Sequence, residues 1–518
     1  MEEIGATTLP DTDVDIHGDV DTDIDTDIDI DIADAGPPGL LALGATLALG
    51  AVLALLSTTI VAVGMGRLSE EFSSPLSTVQ WVSTGYLLAL AVAIPAAGWA
   101  MERFGAKTLW QAALAVYTVG CVAAALAPSV GVLIGARVVQ GFGAAMFEPI
   151  MLTVLATAAG PKRATTVMSM VQIPITLAPV FGPMVGGLLV DHLSWQWLFW
   201  FNVPLGLLCA VMAHVVLPAD PPRSERAGSR LDVIGLALLP PGLAGLLLGF
   251  SRIADSGGTG SAAVLLPLLI GAVMVAGYAV HALRTTAVPL IDVRLFTTGR
   301  FGASVAGAFL FGASVYGAMF LLPLFFQQAG GHSAWDSGLL LAPQGVGTVL
   351  VLPMVGRLTA RFGPRTVVLA GMVVSVLGTF AYTQADPGQD TTLLVVSLLV
   401  RGIGLGATLA PALAAGFGAV TPENTGRAAA ALIAAIQLGG SAGTALLAVV
   451  VQRQIADRLG AGGGNASAAT SPDLAAPLTA AFGTTFWWTL GICALGAVAA
   501  LFLPGPERGS GSGTGTGA

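Results

Sequence analysis

One acidic side chain stands well inside a predicted membrane span and is the strongest candidate for chemistry. Glu148 follows Arg137 by eleven residues, so on an ideal helix the two share nearly one face, about 16 Å apart along the axis. A carboxylate in hydrocarbon is costly and tends to be neutral or to face water. We predict that Glu148 takes and releases a proton, and that Arg137 senses its charge state or holds the substrate-free geometry. A carboxylate bonded to water near the interface and a static arginine brace remain the alternatives.

A second candidate region combines small residues with prolines. Ala178, Gly182 and Gly186 recur every four residues, so on a helix they line one face and let a neighbouring backbone come close. Pro179 and Pro183 each remove a helical hydrogen bond and bend the helix. The sequence therefore predicts a bent, closely packed helix here, continued by Gly187.

The composition defines the class of protein that must position these residues. Hydrophobic residues make up 55% of the 518-residue chain and charged residues 10%, with a mean hydropathy of +0.83. No soluble fold could hide so much apolar surface, so we expect a polytopic protein of the lipid bilayer.

Several functional classes find no support in the residue pattern. The three cysteines, Cys121, Cys209 and Cys493, stand singly, which suggests neither disulfides nor a thiolate metal site. No phosphate-binding loop and no nucleophile–base set occur, so we expect no ATP-driven step and no enzyme activity. We likewise expect no cofactor, no metal and no nucleic-acid partner.

Fourteen apolar runs are long enough to cross a bilayer. The predicted fold is an all-α membrane protein with two six-helix bundles and two extra central helices. The predicted spans are 40–63, 79–100, 107–127, 130–155, 165–190, 197–217, 232–251, 262–282, 301–325, 336–358, 365–384, 391–416, 428–451 and 482–504. The predicted domains are a disordered acidic tail (1–38), an N-terminal six-helix bundle (39–217), a linker with two extra transmembrane helices and an interfacial segment (218–300), a C-terminal six-helix bundle (301–505) and a disordered tail (506–518).

The distribution of positive charge predicts the orientation. Most Lys and Arg residues outside the spans fall on the side of the N-terminus. Because cytoplasmic loops carry the excess of positive charge, we expect both termini in the cytoplasm and the protein in the cytoplasmic (inner) membrane.

The chain also repeats itself. The stretch from Pro95 to Lys107 matches the stretch from Pro353 to Arg365, with Pro, Gly, Arg, Phe, Gly and a basic residue in register. Two related halves are typical of secondary transporters whose bundles rock about a central site. The first copy is the predicted gating loop, with Gly98, Glu102, Arg103 and Gly105 as its key residues.

Four motifs extend this pattern to a recognisable family. They are Gly98 to Lys107, Arg137-Val-Val-Gln140-Gly141-Phe-Gly143-Ala-Ala, Gly182-Pro183-x-x-Gly186-Gly187, and Trp195-Gln-Trp197-Leu-Phe199-Trp-Phe-Asn202-Val-Pro204-Leu-Gly206. With them the region from about 40 to 505 resembles the fourteen-helix drug:proton antiporter family of the major facilitator superfamily. The resemblance implies a multidrug or antibiotic exporter with a proton-linked role for Arg137, and it makes the third motif the antiporter motif. It implies no role for Glu148.

This chain departs from the family pattern at the first helix. The family usually has an Asp before T-x-V, whereas this chain has Ser57-Thr58-Thr59, so the buried acid is missing. Glu102 replaces the Asp of the gating loop, while the second copy has Ala360 and loses the charge.

Two functional classes therefore remain open. The first is a monomeric secondary exporter that exchanges amphipathic small molecules for protons. The second is an uncoupled facilitator, or a transporter-like membrane sensor that lacks the first-helix acid. Gln80, Trp81, Tyr86, Gln140 and Gln327 are the candidate residues of the substrate cavity.

Overall fold

The computed structural model describes residues 38–220, 232–256, 260–285, 289–297, 299–386, 391–421, 424–459 and 472–503. Both predicted tails therefore lie outside the described residues, apart from Pro38. The described part is helical, with no strand in those ranges.

Twelve helical stretches of the described part are long and apolar enough to cross a bilayer. Breaks at Gly160 and Gly363 divide the merged helices Phe147–His192 and Ala334–Thr383, and the described residues then form fourteen rods. The rods are α1 Pro38–Val63, α2 Trp81–Phe104, α3 Ala106–Ala125, α4 Val130–Gly160, α5 161–192, α6 Trp197–Val216, α7 Val233–Ser256, α8 Ala262–Arg284, α9 Gly299–Ala329, α10 334–362, α11 364–383, α12 Thr391–Phe417, α13 Thr425–Leu459 and α14 Ala475–Ala500.

The predicted spans and these rods correspond one to one, but their ends differ, most clearly at the start of α14 and at the end of α13. Helix α14 begins at Ala475 rather than at 482, and α13 continues to Leu459. Arg453 and Arg458, expected in a connecting segment, therefore lie on a helix. Hydropathy marks only the apolar centre of a span, whereas helical hydrogen bonding continues through Ala-rich and polar turns.

Both copies of the repeat turn in the same way. Gly105 between α2 and α3 has φ 89° and ψ 154°, and Gly363 between α10 and α11 has φ 79° and ψ 156°. Side chains with a Cβ atom almost never adopt this backbone conformation. A glycine is thus required at this position in each of the two copies of the repeat. These two turns define what we call the basic end of the molecule.

A residue beyond α6 caps the first of these turns. The Asp220 carboxylate accepts hydrogen bonds from the Lys107 backbone N–H (2.9 Å) and from the Thr108 hydroxyl (2.7 Å) at the start of α3. The Lys107 ammonium donates to the His214 and Leu217 carbonyl oxygens at the end of α6 (2.7 and 2.8 Å). Each helix end thereby receives the charge that its dipole favours.

The closely packed face predicted on α5 lies against α1. A methyl group added at Gly182 would come within 2.7 Å of Thr59 Cβ, and one at Gly186 within 3.2 Å of Ile60 Cα. A methyl group at Gly187 would meet nothing within 4 Å. The close approach therefore depends on Gly182 and Gly186.

The two inserted helices form a hairpin beside the junction of the two bundles. Helix α7 packs against α2 of the first bundle and α13 of the second, and α8 packs on α7. At the start of α7, Asp232 Oδ1 accepts a hydrogen bond from the Gly235 N–H (2.8 Å) and contacts His281 Nε2 of α8 (2.8 Å). The predicted interfacial segment that follows is anchored by Leu290 and Ile291, which are buried.

Candidate functional site

Arg137 of α4 is fully buried and joins three helices. Its Nη1 donates to Ser57 Oγ of α1 (2.7 Å), and its Nε donates to the Val82 carbonyl oxygen of α2 (3.1 Å). The guanidinium also lies 4.1 Å from the centre of the Tyr86 ring. Ser57 thus takes the place at Arg137 where the family pattern would put an acid.

Gln140 completes this network. Its Oε1 accepts from Arg137 Nη1 (2.6 Å), and its amide nitrogen contacts Ser57 Oγ and Cys121 Sγ, each at 3.0 Å. Tyr86 donates its hydroxyl to the Ala54 carbonyl oxygen (3.0 Å). In this conformation Gln140 and Tyr86 hold Arg137, and their role as cavity residues stays a prediction.

The second bundle carries a corresponding buried arginine. Arg401 of α12 donates from Nη1 to Gln344 Oε1 of α10 (2.6 Å) and from Nη2 to the Ser314 carbonyl oxygen of α9 (3.1 Å). In the register that aligns Gly98 with Gly356, Gln344 aligns with Tyr86. The sequence repeat contained this signal, although residue type and spacing alone predicted no role for Arg401 or Gln344.

Glu148 lies in α4 where the two bundles face each other. It is half-buried, and it forms no hydrogen bond or ion pair with any described residue. Its carboxylate is within electrostatic range of Tyr316 of α9, in the opposite bundle. Tyr316 is 36% exposed and packs against Gly440 of α13, where an added methyl group would lie 2.6 Å from the ring. Arg137 makes its hydrogen bonds to Ser57 and Gln140 and none to Glu148, as expected from their separation of about 16 Å along the helix.

The predicted gating loop contacts the second bundle at the basic end. Glu102 Oε2 of α2 lies 2.6 Å from Arg427 Nη2 of α13, and half-buried Arg103 follows it on the helix. A methyl group at Gly98 would be 3.0 Å from Arg427 Cα, and one at Gly356 would be 2.6 Å from Thr166 Cβ of α5. The two glycines of the repeat therefore allow close contacts between the bundles. Each bundle contributes one of these two glycine contacts.

The remaining candidates for the substrate cavity are spread out. Gln80 and Trp81 are exposed at the end of α2 far from the basic end. Gln327 is half-buried on the π-helical turn Phe325–Ala329 that ends α9. The structure does not gather these three side chains with Tyr86 and Gln140 in one place.

Comparison with known proteins agrees with this architecture. A model of the Major Facilitator Superfamily matches residues 47–444. The chain is 37% identical to a "Multidrug resistance protein B homolog" of Mycobacterium tuberculosis, covering 80% of this chain and 77% of the relative. It is 31% identical to the "Tetracenomycin C resistance and export protein" of Streptomyces glaucescens, covering 79% and 76%.

A solved structure shares the fold. The proton:xylose symporter XylE superposes with a TM-score of 0.60 at 14% identity, covering 90% of this chain and 96% of the symporter. The predicted fold class is thereby confirmed, and fourteen rods are compatible with it.

Proposed function

The chain belongs to the major facilitator superfamily, and we propose that it is a secondary active exporter that drives amphipathic small molecules out of the cell by proton antiport. It is a multi-pass membrane protein with twelve helical stretches suited to a bilayer in its described part. We propose that it works as a monomer in the cytoplasmic membrane with the basic end and both termini in the cytoplasm, consistent with the distribution of positive charge.

Glu148 is the observation that carries the proposal. It is a half-buried carboxylate without a hydrogen-bond partner among the described residues, and it lies between the bundles opposite Tyr316. An ionisable group inside a membrane protein marks an ion or substrate pathway in most cases. A carboxyl at the moving junction of two bundles can bind a proton in one conformation and release it in the other.

The antibiotic and multidrug relatives support the substrate class. The tetracenomycin C exporter and the multidrug resistance homologue are resistance proteins by name. The small share of charged residues, 10% of the chain, suits ligands that partition into lipid. Amphipathic small molecules are therefore the substrates that we propose.

The closed basic end supports alternating access. In this conformation the Glu102–Arg427 ion pair and the two glycine contacts seal one side. Opening requires that these contacts separate while the bundles rock about Glu148. A proton bound to Glu148 from the opposite side would be released after this opening, and substrate would move the other way.

The Glu148→Gln variant tests the coupling. In energised inverted vesicles we expect the variant to lose gradient-driven substrate accumulation, because an amide cannot exchange a proton, while ligand binding stays measurable. Glu70→Gln is the matched control, since Glu70 is exposed and pairs with Arg67 on the surface. Accumulation in the parent should also vanish when the proton gradient is collapsed.

Two results would contradict the proposal. Equal accumulation by parent and Glu148→Gln would remove Glu148 from the mechanism. Substrate movement that does not depend on the gradient would instead identify an uncoupled facilitator.

A further inference from the structure

Gln344 and Gln140 each bind a buried arginine, but they differ in whether the amide nitrogen also has a hydrogen-bond acceptor. Both side chains accept a hydrogen bond from a buried arginine at 2.6 Å. The amide nitrogen of Gln140 is satisfied by Ser57 and Cys121. The amide nitrogen of Gln344 has no acceptor among the described residues.

Arg401 fixes the direction in which the Gln344 amide points. A guanidinium only donates hydrogen bonds, so the carbonyl oxygen of Gln344 must face Arg401. The amide NH₂ group must then point away from Arg401. Because Arg401 is 1% exposed and is itself held by the Ser314 carbonyl oxygen, this orientation is built into the bundle.

The free amide group faces the interior of the molecule. Gln344 is half-buried, so part of it is accessible. On α10, Val346 is exposed at 50% and Leu339 at 57%, which marks the outer face of the helix. At about 100° per residue these two lie about 200° and 220° around the helix from Gln344. Gln344 therefore lies on the inward face of α10, away from the outer face.

A second unpaired polar group lies on the neighbouring helix of the same bundle. Tyr316 follows Ser314 by two residues on α9, and its hydroxyl has no hydrogen-bond partner among the described residues. Its partly exposed ring gives the junction an aromatic surface. An amide donor and an aromatic surface in the same bundle suit a flat ligand that carries oxygen acceptors.

The charges of this region disfavour permanent cations. Arg137 and Arg401 are buried with neutral partners only among the described residues, and Glu148 is the one carboxylate that acts electrostatically on Tyr316 in the described part. The two guanidinium groups thus outnumber the single carboxylate even when it is ionised. In a low-dielectric interior this imbalance repels a ligand of fixed positive charge.

We propose that Gln344, positioned by Arg401, is a substrate-binding residue that donates a hydrogen bond to a carbonyl or ether oxygen of a neutral amphipathic ligand. The inference rests on the proposed export function, since it names the ligand chemistry of that same junction. In this proposal the second bundle recognises the substrate, and Glu148 of the first bundle binds the proton.

The test compares two probes on purified protein in nanodiscs, with no ion gradient. Nile red is neutral, is fluorescent and has oxygen and nitrogen acceptors but no donor. Tetraphenylphosphonium is a permanent cation that has no hydrogen-bonding group. Gln344→Ala should weaken Nile red binding about threefold to tenfold, the effect of losing one hydrogen bond. Tetraphenylphosphonium, which the two arginines disfavour, should bind the parent and the variant equally weakly.

The Gln344→Glu variant distinguishes loss of the hydrogen-bond donor from a folding defect. The carboxylate still accepts from Arg401, but when ionised it cannot donate, so Nile red binding should weaken as in Gln344→Ala. Gln384→Ala is the matched control, because Gln384 is exposed at the end of α11 and bonds only to Thr383 in the described part. This control should bind both probes like the parent.

The outcomes separate this inference from the proposed function. Parent-like Nile red binding by a monodisperse Gln344→Glu protein overturns the inference, as does a parent that binds Nile red no better than empty nanodiscs do. Nile red binding that depends on Gln344 in a protein without gradient-driven accumulation supports the inference and contradicts only the proton coupling.

Discussion

At the scale of single residues, the main finding is that two buried arginines are held by neutral groups. Burying a charge is costly unless hydrogen bonds replace its hydration. Arg137 obtains them from Ser57, Gln140 and the Val82 carbonyl oxygen. Because Ser57 Oγ also contacts the Gln140 amide nitrogen (3.0 Å), this one hydroxyl connects the whole network.

Ser57→Ala should therefore destabilise the protein. It removes an acceptor from Arg137 and from Gln140 together, which should lower the free energy of unfolding by about 1–3 kcal/mol. Thermal unfolding in detergent measures the effect as a lower midpoint temperature.

Ser304→Ala is the matched control for this prediction. Ser304 is also fully buried, but its hydroxyl oxygen has no partner among the described residues. Its removal should change the free energy of unfolding by less than about 0.5 kcal/mol. Equal losses in the two variants would show that the Ser57 network contributes little to stability.

At the scale of helices, small residues determine how closely α1 and α5 pack against each other. Gly182 and Gly186 bring the α5 backbone against Thr59 and Ile60. Small residues at such interfaces gain dispersion contacts that larger residues would prevent. The predicted antiporter motif thus has a direct structural reason for glycine at Gly182 and Gly186.

Gly182→Leu should disrupt this contact. The added side chain would collide with Thr59 and force the two helices apart, at a cost of about 1–3 kcal/mol. We expect transport in vesicles to fall at least tenfold while the protein still inserts in the membrane.

Gly187→Leu provides the comparison on the next residue. A methyl group at Gly187 meets nothing within 4 Å, so this variant should transport at a rate within twofold of the parent. Normal export by Gly182→Leu would refute the packing role of Gly182.

At the scale of the whole molecule, the two halves meet at the basic end through a pair of corresponding contacts. Gly98 lies against Arg427, and Gly356 lies against Thr166. The Glu102–Arg427 ion pair adds charge complementarity on one side, and both side chains are partly or fully withdrawn from solvent. Loss of one partner should shift the equilibrium toward the conformation that is open at this end.

Glu102→Gln should make the basic end open more often. An introduced thiol at Thr166 (Thr166→Cys), which faces Gly356, reports this opening by its rate of reaction with a polar maleimide. The native cysteines are buried and should react slowly. We expect Glu102→Gln to raise the labelling rate about tenfold, which corresponds to about 1.4 kcal/mol.

Glu71→Gln is the control for the labelling experiment. Glu71 is exposed at the end of a short helix after α1, so its neutralisation should leave the rate unchanged. A Glu102→Gln protein that labels like this control would show that the ion pair does not hold the basic end closed.

The sequence by itself determined the membrane class, the number of rods and the repeated turn, because each depends on local pattern. Long apolar runs specify spans, and a glycine with positive φ specifies the same turn at Gly105 and at Gly363. The candidate site was only partly predictable: charge within apolar runs pointed to Glu148 and Arg137 and helix geometry gave their separation, but the partners of Arg137 could not be predicted.

Only the tertiary structure decided which polar groups meet. Arg427 pairs with Glu102 across 325 residues of chain, and Gln344 reaches Arg401 from another helix. Such pairings depend on the rotation of each helix about its axis and on which helices become neighbours. Both are set by packing summed over all the rods, so no local pattern reveals that Ser57 holds Arg137 or that the amide of Gln344 is left free.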